Sequence, residues 1–261
     1  MAFAELYVTV VCGVFGLLIG SFLNACAYRI PRGISVAHGR SFCPTCTTQI
    51  VAYDNVPLVS WVVLRGRCRA CGAPISYRYP LVEGLTGALF AAVAAYDGPT
   101  AVLIPHLLFV AALILVSDID LAERIIPDVV ILPVAGIGAV AMTALQPYGL
   151  PWWTWIASGV GAAGFLLAVS LIYEKLRKQE GMGMGDVKLA LCMGVYLGPS
   201  VVPALFIGFI TGAVAGIALM SRGRSAKTAI PFGPFLSAGA IVSLFVGQQL
   251  IDLYLHVMLR S

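Results

Sequence analysis

The sequence predicts an all-α integral membrane protein of about eight transmembrane helices, with a cytoplasmic zinc-knuckle loop domain between the first two. Three observations carry this prediction. Only 11% of the 261 residues are charged and 60% are hydrophobic, whereas a soluble domain is about 25% charged. Apolar windows of helix length recur along the whole chain. The basic residues collect on alternate connections between those windows.

The first window, Leu6 to Ala27, follows Glu5 and has no basic segment before it. With further spans after it, it reads as a retained first helix rather than a cleaved signal. The next windows cover about 81–97, 100–117, 128–146, 152–173, 188–202, 203–221 and 233–256. Only Gly198-Pro199-Ser200 and Pro203 separate the sixth from the seventh. Three domains follow: the first helix at 1–27, a loop at 28–80, and a seven-helix membrane domain at 81–261.

Fifteen of the sixteen Lys and Arg residues fall on one set of alternate connections. Seven arginines lie in the 28–80 loop: Arg29, Arg32, Arg40, Arg65, Arg67, Arg69 and Arg78. Arg124, then Lys175, Arg177, Lys178 and Lys188, then Arg222, Arg224 and Lys227 follow on the same side, and Arg260 alone falls opposite. Positive charge stays in the cytoplasm, so the N-terminus is expected outside and the loop inside. No Lys/Arg run is dense enough to suggest a nucleic-acid partner.

The loop reads CPTC at 43–46 and CRAC at 68–71, a C-x2-C-x21-C-x2-C pattern. Paired knuckles of this kind offer four thiolates to one tetrahedral zinc. A cytoplasmic loop makes disulfides unfavourable. Cys43, Cys46, Cys68 and Cys71 are therefore expected to hold a structural Zn2+, with no position left for catalysis. Cys12, Cys26 and Cys192 lie in spans and read as packing residues.

Acidic side chains near a membrane are costly and mark candidate sites. Asp118, Asp120, Glu123 and Asp128 cluster after the third window, and Asp186 opens the sixth. Asp118, Glu123 and Asp128 are equally explained as a solvated loop capping two helices. Asp186 follows Gly181, Gly183 and Gly185, whose lack of side chains admits a close neighbour. A second Asp beside Asp186 would give an aspartic-protease pair sharing one proton. One carboxylate then serves as base on a water while the other polarises the scissile carbonyl. Neither HExxH nor G-x-S-x-G is present, and His38, His106 and His256 are scattered.

Taken together, these residues resemble the bacterial type IV prepilin peptidases (leader peptidase/N-methyltransferases), GxGD aspartic proteases of family A24. The resemblance runs nearly the whole length, through GSFLNACAYRIPRG at 20–33, the paired C-x2-C loop, YRYPLVEGLTG at 77–87, DLAERIIPD at 120–128 and GMGD at 183–186. It implies cleavage, after a Gly, of the basic leader of type IV prepilins or type II secretion pseudopilins at the cytoplasmic face of the bacterial inner membrane. It also implies methylation of the new N-terminus with S-adenosylmethionine. The catalytic acids fall on Asp120 and Asp186, with Asp118 two residues early for the Pro spacing. Gly183, Gly185, Lys188 and Glu83 are the supporting residues. Lys188 has two open roles, stabilising an ionised Asp186 or meeting lipid phosphate. The loop and the Glu83 region are implied in methylation. Two other readings remain, a transporter using Asp120 and Asp186 as cation ligands and a zinc-stabilised scaffold without catalysis.

Overall fold

A computed structural model describes residues 3–177, 183–221 and 231–259. Gly181, Lys178, Arg222, Arg224, Lys227 and Arg260, which entered the sequence expectations, lie outside the described residues. Nine α-helices and no strand occur among the described residues. They are α1 (Phe3–Arg29), α2 (Val59–Val63), α3 (Arg78–Asp97), α4 (Leu103–Glu123), α5 (Asp128–Leu145), α6 (Trp152–Arg177), α7 (Met184–Leu197), α8 (Val201–Ser221) and α9 (Gly233–Leu259). Seven stretches are long and apolar enough to cross a membrane. The last but one, Met184–Ser221, spans 38 residues and holds both α7 and α8, so the sixth and seventh expected spans are joined through a short turn.

The helix bounds follow the apolar windows closely except at α7, which covers 184–197 where the window is 188–202, and at α4. There the window stops at residue 117, yet the helix runs on to Glu123 and carries Asp118 and Asp120 within it. Hydropathy ends where carboxylates begin, but the helical hydrogen bonds do not depend on side-chain polarity. The helix stops at Arg124, whose φ of 58° is left-handed and whose N–H caps the Asp120 carbonyl. Pro127 then leads into α5.

The chain divides into two compact units, Met1–Leu115 and Val116–Ser261. In the first, α1 packs along α3. A Cβ at Gly16 would lie 2.8 Å from the Thr86 carbonyl, and one at Gly20 would lie 2.7 Å from the Glu83 Cα. The two helices therefore touch backbone to backbone, as small residues permit in lipid. Asn24 Nδ2 donates to the Tyr79 carbonyl at 3.1 Å, tying the end of α1 to the start of α3. The buried Arg29 guanidinium donates to the carbonyls of Ser35, His38, Gly39 and Arg40 and so gathers the loop beyond α1 around itself.

In the second unit α7 is the interior helix. It packs on α6, α5 and α9, and nine of its fourteen residues, from Val187 to Leu197, are buried. Tyr196 Oη donates to the Val134 carbonyl at 3.1 Å. Ser243 Oγ donates to the Ser200 carbonyl at 2.6 Å, fastening α9 to the turn between α7 and α8.

Candidate active site and metal centre

Asp120 sits in the last turn of α4, and its side chain is buried. Its Oδ2 accepts the backbone N–H of Gly233 at 2.9 Å. Gly233 is the first residue of α9, so this N–H is one of the donors that a helix start leaves without an internal partner. The following Pro234 has no N–H to offer. Asp120 is thus an anion-type ligand at a helix N-terminus.

Asp186 lies in the first turn of α7, three residues after its N-cap Gly183. Its backbone N–H donates to the Gly183 carbonyl at 3.0 Å, and its Oδ2 lies 3.6 Å from where a Cβ on Gly183 would stand. The Asp120 carboxylate is close enough for the two charges to act on one another. The two acids, 66 positions apart by number, come together within one unit.

The loop between α4 and α5 completes the cluster. A Cβ at Gly185 would meet the Ile126 Cβ at 2.8 Å, and a Cβ at Gly233 would meet Asp120 Oδ2 at 2.8 Å and Ile126 Cδ1 at 3.4 Å. Ile126 therefore touches both glycines that flank the acids. Gly183 differs from Gly185: among the described residues the nearest atom to a Cβ there would be Asp186 Oδ2 at 3.6 Å.

Lys188 meets an acid other than Asp186. Its Nζ donates to both Asp128 oxygens, at 2.8 and 2.7 Å. Two residues turn α7 by about 200°, so Lys188 leaves on another face from Asp186, and Asp128 at the head of α5 is the carboxylate within reach. Asp118 is buried in α4, but two residues turn a helix by about 200°, which puts it on another face from Asp120. Glu123 and Asp128 are exposed, as a loop capping two helices requires. Gly233 and Ile126 were not among the residues singled out by sequence. The signal for the former was PFGPF at 231–235, a Gly between prolines just before an apolar window.

The first unit holds the four cysteines and Glu83. Glu83 is buried and its Oε2 accepts the Leu58 N–H at 2.8 Å, supporting the start of α2. Leu58 has φ 61°, so an external acceptor steadies a strained residue there. The sulfurs of Cys43, Cys46, Cys68 and Cys71 all lie within 4.8 Å of one another, with Cys43 and Cys71 at 3.9 Å. Four thiolates about 2.3 Å from a tetrahedral zinc stand roughly 3.8 Å apart, so the donor set fits such an ion.

The two knuckles are copies of one turn. Cys43 N–H donates to the Thr48 carbonyl and Thr47 N–H to the Cys43 carbonyl; Cys68 N–H donates to Ala73 and Gly72 N–H to Cys68. Thr47 and Gly72 occupy the same left-handed position, at φ 56° and 71°. The Thr48 hydroxyl, then its backbone, holds the Cys46 thiol down at about 6. The N–H groups of Cys71 and Ala70 lower Cys68 as well. Cys71 goes the other way, to about 11: the Ala73 N–H lowers it, but burial and the neighbouring thiols raise it further, because thiolates crowded into one site disfavour one another.

Comparison with known proteins agrees with this layout. The model of the bacterial peptidase A24 N-terminal domain matches residues 14–96, and that of the type IV leader peptidase family matches residues 107–217. A prepilin leader peptidase/N-methyltransferase of Burkholderia pseudomallei (strain 1026b) is 36% identical over 267 residues, covering 90% of this chain and 84% of its own. Proteins of the same name are 36% identical over 273 residues in Aeromonas hydrophila, covering 92% and 91%, and 32% over 248 in Bacillus subtilis (strain 168), covering 94% and 97%. No solved structure matches significantly. With both halves matched in order, and relatives aligned over nine-tenths of its length, the chain belongs to the type IV leader peptidase family.

Proposed function

We propose that this chain is a multi-pass inner-membrane peptidase that removes the leader of prepilins or pseudopilins and then N-methylates the new N-terminus, with Asp120 and Asp186 as the catalytic acids. The observation that carries the reading is the carboxylate pair itself. Two acids from distant helices interact in an apolar half-molecule, Asp120 held by the N–H at the start of α9 and Asp186 in the first turn of α7. Burying two interacting carboxylates is costly, and a shared proton relieves the cost.

In the proposed reaction one carboxylate takes a proton from a water as the water oxygen attacks the scissile carbonyl carbon. The other gives its proton to the carbonyl oxygen. Collapse of the tetrahedral species breaks the C–N bond: the proton taken from water passes to the departing amine, and a hydroxyl proton of the tetrahedral carbon returns to the second carboxylate. Gly183, with no side chain of its own, lets an extended substrate strand approach its backbone. Gly185 keeps Ile126 and the acid-bearing loop close. Lys188 holds α5 to α7 through Asp128.

The short α7 supports a position for this chemistry. Fourteen residues rise about 21 Å, less than the ~30 Å apolar core. With the turn at Gly198–Ser200 facing outward, Asp186 lies within the cytoplasmic side of the apolar layer, where water and the scissile bond of a membrane-anchored prepilin both reach it. In this arrangement the N-terminus is outside, the prepilin helix docks among the spans in contact with lipid, and the 28–80 loop is a cytoplasmic domain apart from the 81–261 membrane domain. Cys43, Cys46, Cys68 and Cys71 hold a structural zinc. S-adenosylmethionine supplies the methyl group.

Cleavage of a purified prepilin tests the assignment. Asp120→Asn and Asp186→Asn each lower the cleavage rate by about 10^2- to 10^4-fold, the usual worth of a positioned acid or base, with expression and metal content retained. Normal cleavage by both variants sinks the aspartyl mechanism.

A further inference from the structure

Among the described residues two buried side-chain polar atoms have no hydrogen-bond partner, Trp155 Nε1 and Ser237 Oγ. Other hydroxyls in the long helices are spent. Thr86, Thr143 and Thr211 donate to the carbonyl four residues back, and Ser243 donates to the Ser200 carbonyl. Ser237 is 2% exposed, and the Gly233 carbonyl lies four residues behind it, yet that bond is not made. An unpaired hydroxyl inside an apolar layer is costly. Trp155 lies against Gly198, at the other end of α7 from Asp186. Ser237 lies beside the acids.

Its place follows from α9. Leu236, Gly239 and Ser243 form one buried stripe, which rests on Gly208, Ala204 and Ser200. Gly233, Ser237, Ala240 and Leu244 form the neighbouring buried stripe, on the side of α9 left for α7, against which it also packs. Four residues turn a helix by about 400°, so Ser237 shares the face of Gly233, whose N–H meets Asp120 Oδ2 at 2.9 Å. Helical side chains lean toward the N-terminus, which aims the Ser237 hydroxyl back along α9 toward that carboxylate. One turn rises about 5.4 Å, close to the span of two hydrogen bonds of about 2.8 Å through a single water.

We infer that Ser237 is a further catalytic residue, whose Oγ binds the water that the acid pair activates. This rests on the reading of Asp120 and Asp186 as the catalytic pair. One carboxylate takes a proton of the water, and the Ser237 oxygen accepts a hydrogen bond from the other O–H. The water is thereby turned so that a lone pair faces the scissile carbonyl carbon. No bond to Ser237 forms or breaks. The O–H that it accepts stays on the water oxygen and becomes a hydroxyl of the tetrahedral carbon. A hydroxyl kept unpaired in the fold costs stability, so its removal separates a role in the reaction from a role in packing.

The test is cleavage of a purified prepilin by full-length protein in nanodiscs. Ser237→Ala should lower kcat by about 10- to 100-fold, the worth of one hydrogen bond to a reacting group. KM should stay within about twofold, and the unfolding temperature should equal or exceed the parent's. Ser237→Thr, which keeps the hydroxyl, should stay within about threefold of the parent in kcat; where it does not fold, the alanine variant decides alone. Parental kcat in Ser237→Ala overturns the role. So does a rise in KM alone, which would mean that the hydroxyl holds the substrate chain. A slower alanine variant with a lower unfolding temperature, or a folded threonine variant as slow as alanine, overturns it in favour of packing. Asp120→Asn and Asp186→Asn run alongside. If they are inactive while Ser237→Ala cleaves normally, only the serine leaves the mechanism; if both cleave normally, the acid pair falls and this role with it.

Discussion

Gly233 governs the first acid. Its N–H is the hydrogen bond to Asp120, and its missing side chain is what lets the carboxylate sit there. Gly233→Ala would force the carboxylate aside from a 2.8 Å approach. A displacement of about 1 Å at a catalytic group costs on the order of 100-fold in rate, and that is the expected loss of prepilin cleavage, measured on protein whose unfolding temperature is near the parent's. Parental cleavage by this variant would mean that the Gly233 contact does not position the acid. Asp118→Asn should be far milder than Asp120→Asn, because the two side chains leave α4 on different faces. An inactive Asp118→Asn beside a normally active Asp120→Asn reverses the assignment. Asp186 was legible because its glycines stand next to it in sequence. The Gly233 contact was not, because its partner is 113 residues away.

The elements divide the labour. Asp120 faces the start of α9 and Asp186 lies in the first turn of α7, so each carboxylate stands at a helix start, where backbone N–H groups lack internal partners. The knuckles are small turns with little apolar core of their own, and metal ligation is what makes such turns stable. Cys43→Ser or chelation should therefore release zinc, measured by elemental analysis, and make residues 41–76 sensitive to protease. Cleavage by the acid pair is expected to survive. Metal-free protein purified without chelators, with the loop still protected, would argue against a structural zinc. The crossing of α1 and α3 depends on contact between backbones. Gly20→Leu should destabilise it by about 1–3 kcal/mol, the cost of overpacking, seen as a lower unfolding temperature; an unchanged one would mean that the helices part without penalty.

Across the whole molecule the arrangement is that of a membrane protein with one polar loop domain. Phe3, Leu6, Tyr7, Val10 and Val14 on α1 are exposed apolar side chains, which lipid would cover. Cysteines introduced at exposed positions in 28–80 should resist a membrane-impermeant label applied to intact cells and react after lysis. Labelling from outside inverts the proposed orientation. The sequence by itself determined the helices, the metal-type cysteine set and which acids to suspect, because apolar length, C-x2-C spacing and Gly next to Asp are local signals. It also stopped α4 too early, since hydropathy falls at Asp118 while backbone hydrogen bonding continues. Tertiary structure alone decided which acids meet, that Lys188 pairs with Asp128, that Glu83 supports Leu58, and that Gly233 holds Asp120. Each of these is a contact between residues at least 25 positions apart, fixed by how helices pack and not by any pattern along one of them.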